Sequence, residues 1–342
     1  MAYISFQPND YFNTKIYTGT GSSNALTGVG FQPDWTWIKR RNATASHAIQ
    51  DAVRGNDKSL RSNTTGAEYT NTFFSSFDTD GFTVTSSESD VNASAETYAS
   101  WNWKANGSGS SNTDGTTSST VSVNTTAGFS IVKWTGSGSA TTIGHGIGVT
   151  PKIIMLKNTS EVYGWQVYHA SLGNTKYLAL DSTDASATSS QSWNNTSPTS
   201  TVFSVGASDS NNKSGNTIIA YCFAEKKGFS KFGSYVGNGS TWGTFVNCGF
   251  KPAWIMLKDT NSGSAGWMMF DNKRLGYNVD NNALYPNATA AEGTGDDVDL
   301  LSNGFKARST DAGINTSGNS YIYMCFAEEP IVSSNGVPAV AR

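Results

Sequence analysis

His47, His145 and His169 are the side chains whose ordinary pKa lies nearest pH 7, so acid–base chemistry would start with them. None stands in a catalytic pattern. His169 occupies a position that Asp51 and Asp271 hold in two related blocks, which favours a shared structural role such as capping a turn. His145 lies in Gly144-His145-Gly146 without an acid nearby in sequence, and neither a Gly-x-Ser-x-Gly elbow nor a His-Glu-x-x-His pair occurs. Glycan cleavage needs two carboxylates flanking a bond. The densest acidic run, Glu292-Gly293-Thr294-Gly295-Asp296-Asp297-Val298-Asp299, offers the oxygen ligands of a hard cation but not the spacing of a calcium loop, so a solvated loop is expected. The chain reads as a non-enzyme, with no catalytic residue, metal or cofactor expected.

Binding chemistry is better represented. Trp193 and Asn194 sit in Ser189-Ser190-Gln191-Ser192-Trp193-Asn194-Asn195-Thr196, Trp242 in Gly239-Ser240-Thr241-Trp242-Gly243, and Tyr285 in Ala283-Leu284-Tyr285-Pro286-Asn287. An exposed ring beside Asn and Ser side chains can stack on a sugar face while hydrogen bonding its hydroxyls. Trp193, Asn194, Trp242 and Tyr285 are the candidate ligand-binding residues. Lys39, Lys157 and Lys258 recur at one spacing, each closing an apolar run. They are expected to lay their stems on the core, keep their charge in water and discourage edge pairing.

The elements carrying these residues are written three times. Gly30-Phe31-Gln32-Pro33-Asp34-Trp35-Thr36-Trp37-Ile38-Lys39, Gly148-Val149-Thr150-Pro151-Lys152-Ile153-Ile154-Met155-Leu156-Lys157 and Gly249-Phe250-Lys251-Pro252-Ala253-Trp254-Ile255-Met256-Leu257-Lys258 share a Gly-to-Pro-to-Lys spacing around an apolar run. That is the pattern of a proline-started strand. An aromatic two residues before a Gly-x-Gly turn precedes each copy, and a block ending at Gly55, Gly173 or Gly276 follows it. Each copy then finishes on a strong strand, Tyr98-Ala99-Ser100-Trp101-Asn102-Trp103, Ile218-Ile219-Ala220-Tyr221-Cys222-Phe223 or Tyr321-Ile322-Tyr323-Met324-Cys325-Phe326.

This predicts an all-β chain of three tandem antiparallel, jelly-roll-like β-sandwich domains from internal duplication. The domains span 1–107 with an N-terminal arm, 108–228 with a linker, and 229–342 with a C-terminal tail. The polar run from Ala105 to Ser118 predicts a flexible linker or an exposed loop, and the first domain is expected to be hinged. The short join Glu225-Lys226-Lys227-Gly228 predicts that the second and third pack together.

Composition narrows the partners. The formal net charge is −3 and Lys39-Arg40-Arg41 is the densest basic group, so no nucleic-acid footprint is present. No apolar run is long enough for a membrane helix, and Met1-Ala2-Tyr3-Ile4-Ser5-Phe6 lacks the features of a signal peptide. Three cysteines, an odd count in so long a chain, give no disulfide framework, and Cys222 and Cys325 fall at equivalent strand positions as core filling.

The lead-in Phe6-Gln7-Pro8-Asn9-Asp10-Tyr11-Phe12-Asn13-Thr14-Lys15, the Gly-Phe-x-Pro-x-Trp strand, Trp165-Gln166-Val167-Tyr168-His169-Ala170-Ser171-Leu172-Gly173 and Trp101-Asn102-Trp103-Lys104-Ala105-Asn106-Gly107 carry a resemblance. They resemble a repeated β-rich domain of unknown function found in virion proteins, tail-fibre or capsid-associated, of marine tailed bacteriophages. His47 departs from the pattern by replacing the repeat tryptophan. The resemblance implies a virion location, reached without a signal peptide because assembly takes place in the host cytoplasm. Its partners would be other virion proteins, a host cell-surface glycan and further copies of itself, a trimer being one arrangement. A tail fibre or receptor-binding component is the first expectation. A capsid decoration or head-fibre protein with an assembly role comes second, and a glycan depolymerase third.

Overall fold

The computed structural model describes residues 7–274, 278, 282–295 and 297–328, with the backbone alone at 331–332 and 338–339. The start of the expected arm, Gly276, Asp296 and most of the expected tail lie outside the described residues. The described chain is all-β. Its strands pair antiparallel, and its helical parts are one 3-10 turn, Pro8–Asp10, and two single-turn helices, Ser190–Trp193 and Asp209–Asn212.

One four-strand order occurs three times. In the first repeat Phe12–Thr18, Thr97–Trp103, Trp35–Arg40 and Ala48–Asp51 lie side by side. The same order joins Phe129–Thr135, Thr217–Phe223, Ile153–Asn158 and Gln166–His169, then Ser230–Val236, Ser320–Ala327, Pro252–Asp259 and Met268–Asp271. The motif strand is interior to its sheet in every copy. A smaller sheet covers one face of each: Asn24–Thr27, Gly81–Val84 and Phe74–Asp78; Thr141–Gly144 and Val202–Val205; Phe245–Asn247, Gly304–Ala307 and Val298–Leu301.

The period of two explains why the motif strands are apolar on both faces. Ile38, Ile154 with Leu156, and Ile255 with Leu257 point between the two sheets of their own repeat. Alternate residues, Trp35 with Trp37, Ile153 with Met155, and Trp254 with Met256, point the other way into one core that all three repeats share. There Trp35 stacks on Tyr221 at 4.5 Å, Phe12 on Phe326 at 5.0 Å, and Phe223 meets Phe326 edge-on at 5.8 Å. These contacts join first to second, first to third and second to third.

The expected hinge before the second repeat is therefore absent. Ser110–Asn112 pairs with Ser119–Asn124, and the two strands extend the second repeat's large sheet. The Ala105 and Gly107 amides donate to the Asp34 carboxylate at 2.6 and 3.0 Å, and the Asn106 amide donates to Ser122 Oγ at 2.8 Å. Glycines that suggested flexibility supply turn geometry instead: Gly107 and Gly109 hold φ of 64° and 81°.

Candidate functional site

The repeated polar residues lie on the seams between repeats. Lys39, Lys157 and Lys258 are fully buried, against the expectation that their charge stays in water. Each ammonium donates to the carbonyl of the next residue and to one from a neighbouring repeat. Lys39 reaches Thr289 O at 3.3 Å, Lys157 reaches Thr65 O at 3.1 Å and Lys258 reaches Thr183 O at 3.1 Å. First holds third, second holds first and third holds second, so the ring is closed. Burial pulls all three pKa values down to about 8, still above neutrality. The charged form also suits the geometry: Lys157 has three carbonyl acceptors, Thr65 O, Asn158 O and Tyr163 O, for its three N–H donors.

A second ring runs through the block that follows. The indoles of Trp165 and Trp267 donate to Arg61 O at 3.0 Å and Ala179 O at 2.8 Å in the preceding repeat. At the equivalent place His47 meets Tyr285 O through Nε2 at 2.9 Å, so histidine keeps the bond that tryptophan makes elsewhere. The volume lost at His47 is made up by Trp37, which stands where the other motif strands carry Met155 and Met256 and donates its indole N–H to His47 Nδ1 at 2.8 Å.

A third ring uses Asp51, His169 and Asp271. Each accepts amide protons from its own turn: Asp51 Oδ1 from Val53 and Arg54, Asp271 Oδ1 from Lys273 and Arg274, His169 Nδ1 from Ser171. The other polar atom meets the next repeat. Asp51 Oδ2 accepts from Tyr221 OH at 2.7 Å, and Asp271 Oδ2 from the Trp101 indole at 3.0 Å. In the third seam Met324 replaces that donor, and His169 Nε2 donates to Tyr323 O at 3.2 Å instead. The turn-capping role expected of His169 is what the geometry provides.

All three histidines thus accept at Nδ1 and donate at Nε2, which requires the neutral ring; for His145 the partners are the Ile147 amide and Thr199 O. Burial lowers each pKa, to about 4 for His169 with Lys152 adding to the effect, and well below the usual value for His47, which also faces Lys39 and Arg274. Between the depressed folded pKa and about 6.5, the unfolded chain binds more protons than the folded one. The histidine contribution is therefore full above about pH 6.5 and falls as pH drops toward 4, by roughly 3 kcal/mol from His169 alone at about 1.4 kcal/mol per pH unit. Asp34 and Asp181, whose carboxyls burial pushes up, act in the opposite sense at the acid end. Melting temperatures from pH 7.5 to 4.5 should fall, and His169→Asn, which keeps an acceptor for Ser171, should flatten the fall. A curve that is level or rises toward pH 5 would contradict this.

The four binding candidates separate. Trp193 is only 1% exposed: it ends the helix Ser190–Trp193, packs edge-on against Tyr168 at 5.6 Å and closes the second repeat's sandwich. Its polar neighbours concealed an apolar pocket formed by distant strands. Asn194 beside it is exposed, and its left-handed backbone, φ 49°, terminates the helix. Tyr285 is half-buried on the seam where its carbonyl meets His47. Trp242 is 72% exposed.

Trp242 stands in the Gly-x-Gly turn, and only the third repeat lengthens that turn. Seven positions separate Gly239 from Val246, against five from Gly21 to Leu26 and from Gly138 to Ile143. The extra length carries the indole. A buried asparagine holds the turn in each repeat: Asn92 to Ser22 O, Asn212 to Ser139 O and Asn315 to Ser240 O, at 2.6, 2.6 and 2.7 Å. Asn238 Nδ2 and the Gly243 amide add bonds to Trp242 O and Ala307 O.

Around the indole the third repeat replaces small residues by large ones. Phe245 pairs with Lys306 across two strands, where the other repeats pair Ala25 with Thr83 and Thr142 with Ser204. Lys306 Nζ lies 4.3 Å from the Trp242 ring centre and Arg308 Cζ 5.2 Å, both within cation–π range. Arg308 is paired with Asp299 at 3.3 Å. Nearby, Phe245, opposite Lys306, and Val236, whose carbonyl accepts from Thr244 Oγ1 at 2.7 Å, are 43% and 56% exposed. Sequence reasoning missed Lys306 and Arg308. Alignment of the three closing hairpins would have found them, because Thr83, Ser204 and Lys306 each follow the shared phenylalanine and Thr85, Gly206 and Arg308 stand two places further on.

The acidic run is dispersed rather than gathered. Glu292 pairs with Arg41 at 2.6 Å, and among the described residues no three His, Cys, Asp or Glu side chains group as metal ligands. A cavity of about 210 Å³ lies on the seam between first and third repeats, lined by residues that include Phe12, Asn13, Asn272 and Glu328. No curated protein matches the chain. A family model described as a domain of unknown function, DUF7483, matches residues 7–330, and the chain belongs to that family.

Proposed function

We propose that the protein is a virion surface protein of a tailed bacteriophage, a tail-fibre or receptor-binding component that takes a host surface glycan at the Trp242 patch. The phage setting rests on the motif resemblance, and the binding reading rests on one structural contrast. Three like frames are held by like bonds, yet one alone lengthens its turn to carry an exposed tryptophan with Phe245, Lys306 and Arg308 beside it. An indole that is mostly solvent-exposed does little for folding but offers a flat apolar face to a sugar ring. The proposal includes the virion as location, other virion proteins as partners and assembly with further copies of this chain. It also includes an origin of the three repeats by duplication of one jelly-roll-like sandwich, which the recurring strand order supports.

The purified protein should adsorb to host cells or their polysaccharide, and Trp242→Ala should weaken that by about tenfold or more while leaving the melting temperature nearly unchanged. Adsorption equal to that of the parent protein would remove the patch as the site. A second reading, a capsid decoration or head-fibre protein with an assembly role, draws on the apolar members Val236 and Phe245, which suit protein docking. Binding to empty heads, lost in Trp242→Ala and unaffected by glycan, would favour it.

A further inference from the structure

We propose that Cys248 and Cys325 form an oxidation-dependent disulfide within the third repeat. The three cysteines of the chain are thiols in this structure, but two of them are neighbours: Cys325 Sγ lies 3.2 Å from Cys248 Sγ. A disulfide needs about 2.0 Å between the sulfurs, so closure takes a shift of roughly 1 Å. Cys248 follows the outer strand Phe245–Asn247, and Cys325 lies in the inner strand Ser320–Ala327. The bond would tie the two sheets of this sandwich together across its core.

The pair is peculiar to this repeat. At the residue before the motif glycine the chain carries Val29, Ile147 and Cys248, and at the facing place on the closing strand Asn102, Cys222 and Cys325. Cys222 has Ile147 at the matching position, so it is a thiol in a like setting without a cysteine opposite, and serves as an internal control. The odd cysteine count conceals one pair and one isolated thiol.

Access decides which sulfur reacts first. Cys325 is fully buried, and Cys248 keeps 7% of its surface. Burial, together with Cys248 alongside, pushes the Cys325 thiol well up, which leaves Cys248 as the first nucleophile. Hydrogen peroxide suffices as oxidant. Cys248 thiolate attacks one peroxide oxygen, the O–O bond breaks, and Cys248 sulfenic acid and hydroxide result, the hydroxide taking up a proton to become water. Cys325 sulfur then attacks the sulfenic sulfur, the S–O bond breaks, the S–S bond forms, and a second water leaves with the Cys325 proton. Two thiols are oxidised by two electrons and one peroxide is reduced to two waters. In a reducing compartment the pair stays open, and in an oxidising one it closes.

The test treats the folded full-length protein with hydrogen peroxide, quenches by alkylation and maps the peptides. The expected result is a Cys248–Cys325 linked peptide, an alkylated Cys222, a melting temperature raised by several degrees and its return after dithiothreitol. Cys222→Ser should behave like the parent, whereas Cys248→Ser and Cys248→Ala should show neither the link nor the rise. Three alkylated thiols, a link through Cys222, a link between chains, or Cys248 oxidised to sulfinic acid without a link would each overturn the proposal.

Discussion

Asp51→Ala should destabilise the protein by about 3–5 kcal/mol, the range for removing one partner of a buried ion pair. Asp51 and Arg54 are nearly inaccessible, and Arg54 Nε donates to Asp51 Oδ2 at 2.5 Å. Burial opposes the Arg54 charge, but Asp51, Tyr221 and Glu68 outweigh it and raise its pKa. Removing the carboxylate leaves a buried guanidinium with Glu68, 26% exposed and 3.4 Å away, as its remaining acidic partner. It also strands the Val53 and Arg54 amides and the Tyr221 hydroxyl. The second repeat carries an uncharged version of the same turn, with His169 in place of Asp51 and Leu172 in place of Arg54. The double variant Asp51→Asn/Arg54→Leu should therefore cost less than the single change, since the amide oxygen keeps both turn bonds and no charge stays buried. Denaturant titration measures both. A single variant within about 1 kcal/mol of the parent, or a double variant less stable than the single one, would show that the pair contributes little to this seam.

Many of the strands and turns were legible because their causes are local. The Pro-started apolar runs, the aromatic closing strands and the Gly-x-Gly turns each state a strand or a turn through the residues that form it. The shared core was not legible. An alternating strand covered on both faces shows continuous apolarity, and that pattern does not say whether the second cover is a sheet of the same repeat or another repeat. The lysines illustrate the gap. A charge closing an apolar strand reads as solvated, and Lys157 is buried because Thr65 and Tyr163 place carbonyls where water would otherwise be. Trp193 erred the other way, its polar neighbours hiding the Tyr168 face that receives it. Trp242 was legible as an aromatic in a polar turn, but Lys306 and Arg308 come from a hairpin more than sixty residues later.

The seams also show how the second and third rings each tolerate an unlike member. Each site keeps a hydrogen bond to a neighbouring repeat while the residue making it changes: His47 donates to a carbonyl as tryptophan does elsewhere, and His169 donates where aspartate accepts. In both cases a second substitution compensates, within the same repeat for His47 and across the seam for His169. Trp37 fills the space that His47 leaves, and Met324 offers no proton, so the carboxylate facing it becomes an imidazole that donates to backbone. This pairing of changes is what a buried interface requires, since an orphaned donor or acceptor there costs about 1–3 kcal/mol.

Trp254→Ala should lower the stability of the whole chain, toward the lower end of the 3–5 kcal/mol usual for a large aromatic deleted from a core. The indole is fully buried and lies 5.7 Å from Trp103, 6.0 Å from Phe326 and 6.2 Å from Phe12, so two of its three aromatic neighbours belong to the first repeat. Its N–H has no hydrogen-bond partner among the described residues, so truncation orphans no polar group and removes packing alone. Were the repeats independent, calorimetry of the variant would resolve a shifted transition beside unshifted ones. A core assembled from all three instead predicts one transition, moved as a unit, with calorimetric and van't Hoff enthalpies in agreement. Trp242 tests the separation of core from surface: below the lowered melting temperature, Trp254→Ala should bind as the parent does, because the turn is held by Asn315 rather than by the shared core. Two resolved transitions with only one displaced would contradict the shared core, and lost binding in a folded Trp254→Ala protein would tie the Trp242 site to that core after all.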